Sequence, residues 1–189
     1  MAMARTNTDD ALPVDLLPIL RQSGIVPDRV YQEIQGKVKE GEYPKGPKEL
    51  AQKLIKERIL TEFQAKRLLR NRPDELMIGR YLILDRLGSG SMGHVYKAQH
   101  PLMGRIVALK KIAPEIVTND RVVARFQREM RLMGKLDHPN VVRAFDADAD
   151  VGKNLLYIVM EYVQGKSLAE ILRAQGPLKP AEVVDYGMQ

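Results

Sequence analysis

Residues 87–98 have the sequence Leu-Gly-Ser-Gly-Ser-Met-Gly-His-Val-Tyr-Lys-Ala. Because glycine has no Cβ, the backbone at Gly88, Gly90 and Gly93 can approach a polyphosphate closely. The residues before the glycines are apolar and strand-like, and those after Gly93 favour a second strand that ends before Pro101. The pattern therefore predicts two strands joined by a glycine turn, and it decides the fold of the segment around it.

Two other phosphate-binding motifs contain similar glycines, and the surrounding sequence disfavours both. In a dinucleotide-binding fold the glycines lie between a strand and a helix, whereas here Val-Tyr-Lys-Ala follows Gly93 and a turn through Pro101 comes next. The Walker A motif requires Gly-Lys-Ser or Gly-Lys-Thr at the end of its loop, and the residues after Gly93 do not provide it. A glycine turn between two strands is the interpretation that remains.

A second strand-like run, residues 106–112, contains a lysine that can neutralise phosphate charge. Alternate side chains of a strand share a face, so Ala108 and Lys110 point one way while Lys111 points the other way and is expected to be solvated. A small apolar side chain beside a lysine suits an adenine ring lying next to its phosphates. The glycine turn and Lys110 together therefore predict a site for ATP.

A glutamate on the following helix is the expected partner of this lysine. Residues 121–136 have helical periodicity with Phe126 and Met130 on the apolar face, and Glu129 is the only acid in that range. Because Glu129 lies beside the apolar face, its carboxylate can turn inward. A solvent-facing glutamate is the alternative, and the presence of Lys110 favours an ion pair.

The composition excludes several classes of protein. The chain has 189 residues, of which 44% are hydrophobic, with no cysteine and three scattered histidines, so neither a disulfide framework nor a metal site is predicted. The net charge of +6 comes from basic residues interleaved with acids, without the basic and aromatic clusters that nucleic-acid binding needs. No apolar run approaches the roughly 20 residues of a membrane span. The first residues contain Asp9 and Asp10 and no apolar h-region, so we do not expect them to act as a signal peptide. We expect a cytoplasmic protein.

The remaining pattern divides the chain into three parts. Residues 1–11 are polar and expected to be disordered. Residues 12–75 are helical, with a capping box at Thr61. A weak similarity at a spacing of 34 residues is interpreted as two helical hairpins, and chance similarity between amphipathic helices is an equally good alternative. From residue 78 the order is β-β-β-α-β-β followed by helices, the first of them capped by Ser167. This order indicates an α+β fold with an antiparallel sheet.

The last two predicted strands flank an acidic segment. Residues 141–145 and 155–159 are apolar and rich in β-branched side chains, which favours strands. Between them, Asp146, Asp148 and Asp150 are predicted to form a turn.

These features together resemble the N-terminal lobe of a eukaryotic-type Ser/Thr protein kinase in its bacterial, planctomycete-like form. The resemblance covers about residues 78–189. The motifs that carry it are the glycine turn, Val107-Ala108-Leu109-Lys110, Glu129, His138-Pro139-Asn140-Val141-Val142 and Tyr157-Ile158-Val159-Met160-Glu161-Tyr162-Val163. It implies a five-stranded antiparallel sheet with one αC-type helix, preceded by the small all-α region and followed by the first helices of the C-terminal lobe.

The resemblance also implies a role for each residue of the expected ATP site. The phosphates would be covered by the backbone of Gly88, Ser89, Gly90, Ser91, Met92 and Gly93. Adenine would contact Leu87, Val95 and Ala108, and the backbone of Glu161 and Val163 after the gatekeeper Met160. Lys110 would bind α- and β-phosphate oxygens while paired with Glu129, and Ser167 lies where a ribose contact is common. Met133 and Ala144 would join a regulatory stack of apolar side chains.

The residues that such a kinase needs for phosphoryl transfer do not follow Met160. The family uses a His-Arg-Asp loop for the base and Asp-Phe-Gly for Mg²⁺, whereas the only aspartate here is Asp185. We therefore expect the ATP-binding portion of a kinase, inactive by itself, with Mg²⁺ bound only in the full-length parent. A fragment is favoured over a natural short protein because the chain ends inside a predicted helix. The alternative is a non-catalytic nucleotide-binding or regulatory module, similar to a pseudokinase.

The helical region, residues 12–75, carries no chemical motif. We expect it either to dock a protein partner or the kinase lobe, or to act as a spacer. The sequence does not indicate which protein would be the substrate.

Overall fold

The computed structural model describes residues 15–114, 120–150 and 155–189. The chain divides into two compact units within one strand, the first ending at Val107 and the second beginning at Ala108. Residues 1–11, which were expected to be disordered, lie outside the described residues.

Four helices in the first unit enclose an apolar core. They are α1 (Leu16–Ser23), α2 (Asp28–Lys39), α3 (Pro47–Lys56) and α4 (Glu62–Leu69). α1 ends at Ser23, because Gly24 adopts the left-handed conformation, with φ of 64°, that terminates helices. Apolar side chains recur at helical spacing, and the core that they form includes Leu16, Leu20, Ile34, Leu50, Leu54 and Leu68.

A short hairpin connects these helices to the sheet. After α4, a 3-10 helix (Pro73–Leu76) leads into β1 (Met77–Ile78), which pairs antiparallel with the start of β2 (Tyr81–Gly90). Gly79 in the connection has φ of 55°, which glycine adopts without steric cost. β1 is not predicted from the sequence, because two residues are too few to show the alternation of a strand.

The other strands are β3 (Gly93–Gln99), β4 (Ile106–Ile112), β5 (Ala144–Asp150) and β6 (Leu155–Glu161). The sheet of the described residues has the strand order β1-β2-β3-β4-β6-β5. β2 and β3 pair antiparallel with two register shifts, and β5 pairs antiparallel with β6. The predicted α+β class with an antiparallel sheet is confirmed, with six strands instead of five.

The strand predicted at 141–145 and the acidic turn after it are wrong. β5 begins only at Ala144 and runs through the aspartates to Asp150. Aspartate and alanine alternate in this segment, and a period of two suits a strand. β5 is the last strand in the order, and carboxylates on an edge strand discourage pairing with other chains. One of them, Asp148, accepts a hydrogen bond of 3.3 Å from the hydroxyl of Tyr157.

The second unit includes the helices α5 (Asp120–Met133), α6 (Leu168–Gln175) and α7 (Pro180–Met188). The predicted apolar face of α5 is used, since Phe126 packs against Ile112 and Leu156. α6 and α7 contain no buried side chain. Within residues 15–114, 120–150 and 155–189, no helix has the length and apolar character that crossing a bilayer requires.

Candidate functional site

The glycine turn forms the tip of the β2–β3 hairpin. Gly90 pairs with Gly93, so Ser91 and Met92 are the two residues that connect the strands. Gly93 has φ of 127°, a conformation that residues with a Cβ rarely adopt. The predicted order of strand, glycine turn and strand is confirmed, and it lacks the helix that a dinucleotide-binding fold places after the glycines.

Gly88 and Gly90 differ from Gly93, because the fold itself does not require glycine at either position. Neither has a positive φ, and among the residues that the structure describes a Cβ added to either would meet no heavy atom within 4 Å. Since neither the conformation nor the packing of the described residues demands glycine here, the absence of side chains leaves space for another molecule to approach the backbone.

The hairpin also presents apolar side chains beside the glycines. Leu87 is 45% exposed and lies at the register shift between Arg86 and Gly88. Val95 pairs with Gly88 and is partly buried. Met92, in the connection, is 60% exposed. An apolar surface therefore adjoins the open backbone of the turn.

β4 carries Ala108 and Lys110 on one face, because alternate residues of a strand point the same way. Val107, Ala108 and Leu109 are all buried, so both faces of the strand are covered at this point, as in an interior strand. Lys110 and Lys111 are both partly buried. Lys111 is therefore less solvated than the sequence predicts.

α5 contains the position of Glu129, but the side chain of Glu129 lies outside the described part of the structure. The expected ion pair with Lys110 therefore stays a prediction. Met133, the last residue of α5, is partly buried, and so is Ala144 at the start of β5.

The residues expected to contact adenine through their backbone lie at the end of β6 and just after it. Met160 is partly buried and pairs with Ala144. The amide of Glu161 donates to the carbonyl of Arg143 at 2.9 Å, so a ligand would meet Glu161 through its carbonyl. Val163 is 62% exposed. Arg143 is not predicted from the sequence, because it contributes its backbone carbonyl, and such a contact does not depend on the type of side chain.

Ser167 begins α6 in a capping box, as predicted. Its hydroxyl accepts from the N–H of Glu170 at 3.2 Å and donates to the Glu170 carboxylate at 2.8 Å. The hydrogen bond from the Ser167 backbone N–H, followed by that from its hydroxyl, holds the pKa of Glu170 below its ordinary value. A ribose contact by Ser167 would add to these bonds or replace one of them.

Part of this chain is similar to known proteins. The family described as Protein kinase domain matches residues 81–189. The serine/threonine-protein kinase PrkC of Bacillus subtilis is 39% identical over 107 residues, which are 57% of this chain and 16% of that protein. The serine/threonine-protein kinase pkn3 of Myxococcus xanthus is 37% identical over 106 residues, which are 56% of this chain and 19% of that protein.

A solved structure is similar to this chain in both fold and sequence. The PknI kinase domain of Mycobacterium tuberculosis is similar with a TM-score of 0.52 and 31% identity, over 58% of this chain and 43% of that one. The chain spans about a sixth of the length of the curated relatives that it matches. The matched residues run from β2 to α7 and include the glycine turn, Lys110 and the segment after β6. Through residues 81–189, the chain belongs to the protein kinase family.

Proposed function

We propose that residues 78–189 form the ATP-binding portion of a bacterial Ser/Thr protein kinase, which transfers the γ-phosphoryl group of ATP to a serine or threonine hydroxyl of a protein. Membership of the family and the bacterial relatives support this assignment. The observation that carries it is the open backbone of Gly88 and Gly90, where the fold does not need glycine. A ligand that approaches the backbone closely explains why side chains are absent there.

In this proposal the glycine turn and β4 bind the triphosphate. The backbone from Gly88 to Gly93 covers the phosphates, and its N–H groups can donate to phosphate oxygens. Lys110 supplies a compact positive charge to the α- and β-phosphates, and Glu129 orients it. The partial burial of Lys110 supports this role, because a lysine charge screened from water acts more strongly on a nearby anion.

The adenosine is assigned to apolar side chains and to one stretch of backbone. Leu87, Val95 and Ala108 contact the base, and Met160 limits the depth of the pocket behind it. The carbonyl of Glu161 and the backbone of Val163 hydrogen-bond the edge of adenine. The bond that occupies the Glu161 amide supports this orientation, and Ser167 lies beside the ribose.

The proposal assigns no magnesium ligand to this chain. Kinases of this family use Mg²⁺ to neutralise charge on the phosphates, and this ion prefers carboxylate oxygens and water. In the part of the chain that the structure describes, no three or more His, Cys, Asp or Glu side chains form a group that could hold a metal ion, and the proposal leaves Mg²⁺ to the full-length parent. We place the protein in the cytoplasm, where its nucleotide substrate is found.

Titration with a fluorescent ATP analogue tests this proposal. A hydrogen bond to a charged group contributes about 1.5–3 kcal/mol, so Lys110→Met should raise the Kd by roughly 10- to 150-fold. Lys111→Met is the matched control, because it removes the same charge from the opposite face of β4, and its Kd should stay within about twofold of the wild type. Glu129→Gln should weaken binding less than Lys110→Met does. Equal affinities of wild type and Lys110→Met would contradict the proposal.

A further inference from the structure

The first turn of α4 is hydrogen-bonded to the backbone of β2. The hydroxyl of Thr61 donates to the Leu84 carbonyl at 2.6 Å, and Nε2 of Gln64 donates to the Ile83 carbonyl at 2.8 Å. The same side chains form the capping box of α4, because Thr61 Oγ1 accepts from the N–H of Gln64 and Gln64 Oε1 accepts from the N–H of Thr61. Each side chain therefore makes one bond to the helix and one to the strand. We call Thr61 and Gln64 the α4 brace.

The α4 brace contacts β2 where the strand is irregular. The register of β2 against β3 shifts between Ile83 and Asp85, and a bulge of this kind disrupts the regular ladder of hydrogen bonds. β1 pairs with β2 only at Tyr81 and Leu82. The brace thus binds the two carbonyls that follow the end of this pairing. Gln64 is only 3% exposed. Leaving its side-chain amide without a hydrogen-bond partner would therefore be costly.

A second contact joins the same helical turn to β3. The ring of Phe63 meets the ring of Tyr96 edge to face, with centroids 6.1 Å apart. Tyr96 pairs with Arg86 of β2. Both strands of the hairpin are therefore held by residues 61–64, just before the strands reach the glycine turn.

We propose that the α4 brace positions the glycine turn, so that the nucleotide affinity of this chain depends on two side chains of its helical region. The inference rests on the proposed ATP site. Thr61 and Gln64 do not belong to that site, and they act through the backbone of β2. Beyond Leu82 the strand β2 is paired with β3 and no longer with β1, and Gly88 lies roughly 14 Å along the strand from Leu84. Fixing the direction of β2 at Leu84 fixes where the backbone of the turn meets the phosphates.

Substitutions at Thr61 can separate the cap from the brace. Aspartate is among the best N-cap residues, so Thr61→Asp keeps the acceptor for the helix but has no proton to donate to Leu84. Thr61→Ser keeps both bonds and is the conservative rescue. Asp15→Ala is the matched control, because Asp15 caps α1 by accepting from the N–H of Leu17 at 3.2 Å. Gln64→Leu removes the other half of the brace.

Two measurements on the full chain read out the effect. The first is amide hydrogen exchange in residues 94–97 without nucleotide, and the second is the Kd of a fluorescent ATP analogue. Losing one hydrogen bond corresponds to roughly a threefold to tenfold change in an equilibrium. We expect changes of this size in both measurements for Thr61→Asp and Gln64→Leu. Thr61→Ser and Asp15→Ala should stay within about twofold of the wild type in both.

The outcomes distinguish this inference from the proposed function. If the wild type binds nucleotide and Thr61→Asp binds equally well, with hairpin exchange unchanged, the positioning role is overturned. The positioning role is also overturned if Asp15→Ala weakens nucleotide binding as much as Thr61→Asp does, because the weaker binding would then reflect a loss of overall folding stability. If the wild type binds no nucleotide, the proposed function fails, and exchange alone decides whether the brace orders the hairpin. If Gln64→Leu does not fold, the Thr61 pair still gives the answer.

Discussion

Replacing Gly88 or Gly90 by alanine should weaken nucleotide binding without destabilising the fold. A methyl group added at either position would meet no heavy atom of the described residues within 4 Å, and neither glycine has a positive φ. Glycine inside a strand is less favourable than alanine by about 0.5–1 kcal/mol, because it loses more backbone entropy on folding. Each variant should therefore raise the free energy of unfolding by about that amount.

The loss of affinity can be estimated from the hydrogen bonds between backbone and phosphate. A methyl group on the ligand side would hold the phosphate oxygens away from the N–H groups of the turn. One hydrogen bond to a charged group contributes about 1.5–3 kcal/mol, so the Kd should rise by roughly 10- to 150-fold. Gly88 and Gly90 are two residues apart and share a face of β2, so the two variants should behave alike.

Two other glycines provide controls with opposite effects. Gly36 lies inside α2, where an added Cβ would also meet nothing within 4 Å. Gly36→Ala should raise the free energy of unfolding by about 1 kcal/mol and leave affinity unchanged. Gly93 has φ of 127°, so Gly93→Ala should strain the backbone at a cost of about 1–3 kcal/mol.

Urea unfolding followed by circular dichroism and titration with a fluorescent ATP analogue measure the two quantities on the same samples. Only Gly88→Ala and Gly90→Ala should combine unchanged or higher stability with weaker binding. The reasoning would be refuted if both variants bound the analogue as the wild type does. It would also be refuted if they lost as much stability as Gly93→Ala, because glycine would then be needed by the fold itself.

Two further predictions concern the helical region. Leu54 is completely buried, so Leu54→Ala should lower the free energy of unfolding by about 2–5 kcal/mol. Leu102 is 92% exposed, so the control Leu102→Ala should change the free energy of unfolding by less than about 0.5 kcal/mol. Urea unfolding measures both effects. The hydrogen bond that Tyr43 donates to Glu57 raises the pKa of Tyr43. The folded chain therefore keeps the Tyr43 proton to a higher pH than the unfolded chain does, so the free energy of unfolding falls as pH rises past about 10. Unfolding curves measured across this pH range should show a smaller fall for Tyr43→Phe than for the wild type.

The glycine hairpin and β4 could be predicted because their signals are local. Gly88, Gly90 and Gly93 follow one strand-like run and precede another, and Pro101 closes the option of a long helix after them. The structure confirms β2, β3 and β4 at these positions. Alternation alone also places Ala108 and Lys110 on one face, whatever the neighbouring strands are.

The end of the sheet was harder to predict, because composition and periodicity disagree there. Aspartates normally disfavour strands, and this preference suggested a turn through Asp146 and Asp148. The alternation of aspartate with alanine indicates a strand instead, and β5 does continue through Asp150. An edge strand accepts carboxylates that an interior strand would exclude, and its place at the edge depends on strand order, which the local sequence does not encode.

The capping boxes at Thr61 and Ser167 show why a local motif can be recognised while its second role is missed. Gln64 is buried, and its side chain must accept from the N–H of Thr61 and also donate to the carbonyl of Ile83. A carboxylate there would keep the first bond, lose the second and bring a charge into a buried site, which is costly. Glu170 occupies the equivalent position of the exposed box at Ser167, where a negative charge near a helix N-terminus is favourable. The choice of glutamine at position 64 is therefore explained by a strand 19 residues further along the chain, which the pattern of the cap alone could not reveal.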